Sequence, residues 1–126
     1  PALLGYAFGT RFQDVSVFDP VSRQLIETRP LGATIRWLSN EQTFWDGHYI
    51  WSYDFPKNLV EAVAIDPVHL QVAARIPTEG AGPAHSLMLT PDRQSAWVNL
   101  AGSNEIAVLD VPTRSVVARI PTGKFP

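Results

Sequence analysis

The chain has 126 residues, an apolar fraction of 45% and a net charge of −2. That length suits one compact domain with a sizeable core, and the charge lacks the basic excess that non-specific nucleic-acid binding needs. No apolar run approaches the ~20 residues of a membrane helix, and the absence of cysteine excludes disulfides, thiolate metal sites and covalent haem attachment within this stretch.

Eleven prolines and eight glycines are spread along the chain and leave no helical pattern of useful length, which predicts an all-β fold. Residues 3–8, 15–19 and 24–29 read as three strands, the last two joined by Asp19-Pro20-Val21-Ser22. Asp suits such a turn because its carboxylate can accept backbone amides ahead of it, and Pro presets its own φ. The next unit is less regular: one inner strand is expected within 35–45, then an Asp46-Gly47 hairpin turn. Strands at 48–53, 59–66 and 71–77 follow. The last unit is the cleanest, with strands at 84–90, 95–101, 105–110 and 115–121. Opening on Pro1 with no leader segment, the sequence reads as a processed form or an excerpt of a longer polypeptide.

Much of the second half is said twice. Val-Ala-Ile-Asp at 63–66 and Gln-Val-Ala-Ala-Arg-Ile-Pro-Thr at 71–78 return as Val-Leu-Asp at 108–110 and Ser-Val-Val-Ala-Arg-Ile-Pro-Thr at 115–122. Asp66 and Asp110 stand 44 residues apart, and Asp19 precedes Asp66 by 47. Four short strands recurring at that interval predict β-propeller blades, the four-stranded antiparallel sheets that stack around a channel. The expected organisation is one propeller domain: a partial, three-stranded blade over 1–30, a blade over 31–78, and a blade over 79–126 ending in a linker to a next blade. Tyr6, Trp51 and Trp97 fall at matching places in the three units, which predicts a core role between successive sheets.

Gly-Pro-Ala-His-Ser-Leu-Met-Leu-Thr-Pro-Asp at 82–92, Ala-Trp-Val-Asn at 96–99, Asn104, 106–110 and 117–123 resemble the YVTN family of β-propeller repeats. That repeat is similar to blades of the cytochrome d1, nitrous-oxide reductase and amine-dehydrogenase propellers. The match is good over 79–123, fair over 48–78 and thin before that, and 31–47 departs from the pattern. The resemblance implies part of a larger ring of seven or eight blades, completed by the same chain or by other copies. It also implies a periplasmic or extracellular protein. Fewer than three blades leave sheet faces uncovered, so further blades are the expected partners, and possession of a protein partner fits the same architecture.

The resemblance places ligand sites around the central channel, on the face shared by the loops between strands two and three and those between blades. Arg11, Gln13, Arg36, Asp54, Lys57, Asn58, Glu79, His85, Ser103 and Asn104 would contribute there. Arg11, Arg36, Asp54, Lys57, His85 and Asn104 are the candidate ligand-binding residues, as a polar mouth for an anionic or carbonyl-bearing ligand; ordinary solvated loop residues are the plainer reading. His85 starts an innermost strand, and imidazole suits metal ligation and proton transfer. One imidazole does not make a metal site, and no second histidine aligns with it. His85 and Ser86 are adjacent on a strand and point to opposite faces, so they cannot act as base and nucleophile. His48 and His69 read as surface turn residues, and Asp19, Asp66 and Asp110 as turn caps. Trp37, Trp45, Trp51 and Trp97 lie on strands and read as buried, with stacking on a base or sugar left open for Trp37.

Three functions are compatible with these residues. The first is a non-catalytic scaffold or interaction surface in an exported protein, with no catalytic residue and no metal site. The second is part of a periplasmic oxidoreductase, with a metal, haem d1 or quinone partner near His85 and Arg36. Its cofactor is unknown, since this stretch encodes none by itself. The third is binding of single-stranded nucleic acid, which the acidic balance disfavours.

Overall fold

A computed structural model describes residues 4–9, 14–31 and 45–124, leaving aside the side chains of His85 and of residues 6–9. Ten strands are described: β1 (Gly5–Gly9), β2 (Asp14–Asp19), β3 (Gln24–Pro30), β4 (Ile50–Asp54), β5 (Leu59–Asp66), β6 (Gln71–Ala81), β7 (Ala84–Leu89), β8 (Ser95–Leu100), β9 (Glu105–Asp110) and β10 (Ser115–Pro121). They form three antiparallel sheets, ordered β1-β2-β3, β4-β5-β6 and β7-β8-β9-β10. A single turn of 3-10 helix over Pro56–Asn58 interrupts this all-β arrangement.

The outer half of each sheet is built the same way. The turns after β2, β5 and β9 begin with Asp19, Asp66 and Asp110. Asp19 Oδ1 accepts the amides of Val21 and Ser22 at 2.8 and 3.3 Å. Asp66 Oδ1 accepts those of Val68 and His69 at 2.8 and 3.2 Å, and Asp110 Oδ2 accepts that of Thr113 at 2.9 Å. Four residues after each Asp the backbone turns left-handed, at Arg23, Leu70 and Arg114. Three residues later the outer strand bulges, leaving Ile26, Ala73 and Val117 without a partner opposite. The sequence period is therefore a backbone period as well.

The sheets stack face to face. In β4 and β5 alternate side chains go to opposite sides, and both sides are covered. Ile50, Val63 and Ile65 pack with Val15 and Val17 of the first sheet and with Leu31, which follows β3. Trp51, Tyr53, Ala62 and Ala64 pack with Leu87, Leu89, Ala96, Val98 and Leu100 of the third. Large residues on β4 stand beside alanines on β5, so bulk on one strand fills the space left by its neighbour.

Several boundaries differ from expectation. β4 starts at Ile50 because the amides of His48 and Tyr49 are taken by Asp46 Oδ1, at 2.7 and 2.6 Å. β6 runs through Pro77 to Ala81, since Pro77 sits opposite Glu61 on an edge strand where a missing N–H is tolerated. Trp97 is 41% exposed, against 1% for Trp51. It shares the β8 side chain direction of Asn99, away from the second sheet, and no described sheet lies against it. The inner strand expected within 35–45 lies outside the described residues except for Trp45, which bridges to Ile50.

Candidate functional site

The crossing from β6 to β7, residues 80–83, is clasped by two loops. The Gly82 amide donates to the Asn58 carbonyl at 2.8 Å, and the Gly102 amide to the Pro83 carbonyl at 3.3 Å. Ser103 Oγ accepts the Ala81 amide at 2.7 Å. Space is tight as well: a Cβ on Gly80 would run into Leu100, and one on Gly102 into the carbonyl of Gly82. Thr78, fully buried, donates from Oγ1 to the Val60 carbonyl at 2.8 Å and accepts the Gly80 amide at 3.3 Å. Polar groups at this end are therefore held by short, paired contacts.

Lys57, Asn58, Glu79 and Asn104 decorate this end, each with a left-handed backbone (φ of 51°, 64°, 59° and 55°). Such angles cost a non-glycine residue on the order of 1 kcal/mol, least for asparagine. Lys57 and Glu79 rim a hollow of about 390 Å³ whose floor includes Pro56, Leu59 and Pro77. An apolar floor whose lining also holds one cation, Lys57, and two carboxylates, Glu61 and Glu79, suits a small amphipathic ligand.

The other predicted site residues separate. His85 lies in β7 where the pairing slips: Ala84 faces Leu100, Ser86 faces Asn99, and His85 is the extra residue of a bulge. Asp54, expected in a solvated loop, instead ends β4 and is 6% exposed. Its Oδ2 lies 3.6 Å from Arg75 Nη1, which also lies 3.8 Å from Glu61, and its Oδ1 accepts the Phe55 amide at 2.9 Å. Opposite Glu61 and Glu105, Asp54 and Leu100 hold matching places, so a carboxylate stands in the second sheet where the third carries a leucine. Arg75 was missed by sequence reasoning, although its counterpart Arg119 makes the matching pair with Glu105 at 2.6 Å. Arg11, Gln13, Arg36 and Trp37 lie outside the described residues.

His48 and His69 are exposed in turns. His69 Nδ1 sits 2.7 Å from Asp66 Oδ2, the role that Thr113 Oγ1 plays for Asp110 at 2.6 Å. The carboxyls of these turns are held below their ordinary range. The His69 side chain is the main cause for Asp66 and the Thr113 hydroxyl for Asp110; Asp19 owes its shift first to the Val21 amide, and Asp92 to the Thr90 hydroxyl. Ser86 Oγ accepts from Asn99 Nδ2 at 2.9 Å, which ties it into the sheet. Among the described residues no group of three His, Cys, Asp or Glu side chains is arranged to hold a metal ion, and no helix is long and apolar enough to cross a membrane.

No protein-family model and no curated protein matches the chain. Among solved structures it is similar to the dihydro-haem d1 dehydrogenase NirN in complex with DHE. There the TM-score is 0.75 and the identity 20%, over 96% of this chain and 26% of that one. It is similar also to the hydrazine synthase of Kuenenia stuttgartiensis, with TM-score 0.67 and 17% identity over 90% of this chain and 31% of that one. A 6-phosphogluconolactonase-like protein from Bacteroides uniformis gives 0.63 and 20%, over 98% and 38%. All are β-propeller-like. The three sheets are propeller blades. At these identities the likeness concerns the fold, and the chain spans well under half the length of each structure.

Proposed function

We propose that the chain is an arc of a YVTN-type propeller serving as a non-catalytic framework that presents a ligand- or protein-binding face. The protein is exported, to the periplasm or the cell exterior. The reading is supported above all by the clasp on residues 80–83, which fixes the loops that carry Asn58 and Asn104 beside a hollow lined by Lys57 and Glu79, without committing Lys57 to an ion pair with a described carboxylate. Lys57, Asn104 and His85 bind the ligand's polar groups together with Arg11 and Arg36, while Asp54 orients Arg75. The exposed face carrying Met88, Trp97 and Ile120 seats a further blade, from the same chain or another copy, in a ring of seven or eight.

A second reading is favoured by the fold-level likeness to the dihydro-haem d1 dehydrogenase and to hydrazine synthase. On it, the arc belongs to a periplasmic oxidoreductase whose haem, metal or quinone partner sits at the channel near His85 and Arg36. The visible absorption spectrum and metal content of the protein purified from its native source separate the two. The framework reading expects a colourless, metal-free protein; haem absorption lost on His85→Ala replaces it with the redox reading.

A further inference from the structure

At the end of the blades opposite the clasp, the turns of the third blade meet the Asp46–Tyr49 turn of the second. A cleft of about 320 Å³ opens there, lined by Asp46, His48, Tyr49, Arg93, Gln94 and Arg114 among others. We propose that this cleft is a binding site for a small molecule bearing one carboxylate or phosphate group. It is separate from the face discussed above and does not depend on that reading.

Both arginines line the cleft without a counter-ion, since neither pairs with a described carboxylate. Asp46 is engaged elsewhere: Oδ1 accepts the His48 and Tyr49 amides, and Oδ2 accepts Trp51 Nε1–H at 2.8 Å. The Arg114 guanidinium lies over the Tyr49 ring, 4.9 Å from its centroid. That stacking holds the plane of the fork and leaves its N–H edge to meet an oxyanion. Arg93 reaches across the blade boundary, so that a Cβ on Gly47 would lie 3.9 Å from its Nη1. The Val111 amide donates to the Gln94 carbonyl at 2.9 Å and ties together the two turns that carry the arginines.

The repeat shows that the turns do not require these side chains. Arg93 and Gly47 occupy matching left-handed positions, with φ of 61° and 102°, and Arg114 matches Leu70, with φ of 55° and 52°. The fold asks there for a backbone angle that glycine meets most cheaply. The second blade supplies two uncharged residues, the third supplies two arginines, and both arginines face one cleft. Two like charges sharing a partly enclosed cleft repel, and a bound anion relieves that repulsion. Asp46 leaves the cleft with a net single positive charge when His48 is neutral, matched to one anionic group better than to a polyanion.

The test is an NMR titration of the 126-residue chain at low ionic strength with inorganic phosphate, with acetate, and with chloride as the control. Saturable shifts are expected at the amides of Gly47, Arg93 and Arg114, and the tighter of phosphate and acetate names the group recognised. Arg93→Gln and Arg114→Gln should each weaken binding about tenfold or more, while Arg23→Gln, in the exposed turn after β2, leaves it unchanged. Equal affinity in wild type and Arg93→Gln, shifts scattered over the surface, or chloride binding equally well would each overturn the proposal. If Arg114→Gln does not fold, the exposed Arg93→Gln decides alone.

Discussion

The second and third blades share a repeat but live in different surroundings. Trp51 and Trp97 hold the same place in it, yet Trp51 is sealed under the third blade with its indole N–H on Asp46, and Trp97 is left partly open. The repeat thus sets which residue points towards the next blade, and the presence of that blade decides what the residue contributes. The largest consequence is for stability. Trp51→Ala should cost about 3–5 kcal/mol in urea unfolding of this chain, and Trp97→Ala less than about 1 kcal/mol. Equal costs would break the comparison.

The clasp offers a second contrast. Gly102→Ala drives a methyl into the carbonyls of Gly82 and Ala81, while Gly123 has nothing within 4 Å. The first should lose about 1–3 kcal/mol, and the second should change stability by less than about 1 kcal/mol in either direction. Thr78 and Thr122 make a third pair. Thr78→Val leaves the buried Val60 carbonyl and Gly80 amide short of a partner, at a cost of about 1–3 kcal/mol. Thr122, whose hydroxyl donates to the Gly123 carbonyl at an exposed site, should tolerate valine within about 0.5 kcal/mol. Thermal and urea unfolding of the four variants would sharpen the contrast.

The smallest effect is one the blades share. The carboxyls of Asp19, Asp66, Asp92 and Asp110 have folded-state values below the ordinary 3.8. Their contribution to stability is therefore complete above pH ~4 and is lost as pH falls through the lowered values. Unfolding midpoints should drop between pH 4 and pH 2, and Asp110→Asn should flatten part of that drop.

How much of this was legible follows from the same contrast. β5, β9 and β10 were read to the residue, because the Asp turn and the left-handed position four residues on are local chemistry that recurs with the period. The extension of β6 to Ala81 was not legible, since Pro77 reads as a stop unless its edge position is known. Asp54 read as a loop residue because it follows an aromatic run into Phe55-Pro56. Its one available signal was that Leu100 occupies the matching place. The exposure of Trp97 depends on a neighbour and has no local signature. His48 reads as a surface turn residue and lies in the turn before β4 rather than in a strand starting at 48, but the arginines gathered beside it belong to different turns and meet only in three dimensions. Of the proposed site residues, Arg11 and Arg36 fall outside the described structure.

Hydrogen exchange at the tryptophan indoles tests the stacked-blade account most directly. With resonances assigned by Trp→Phe variants, the Nε1–H of Trp51 should exchange only through unfolding of the interface between the second and third blades, and that of Trp97 at close to the rate of a free indole. Fast exchange at Trp51, or equal protection at both, would contradict the account.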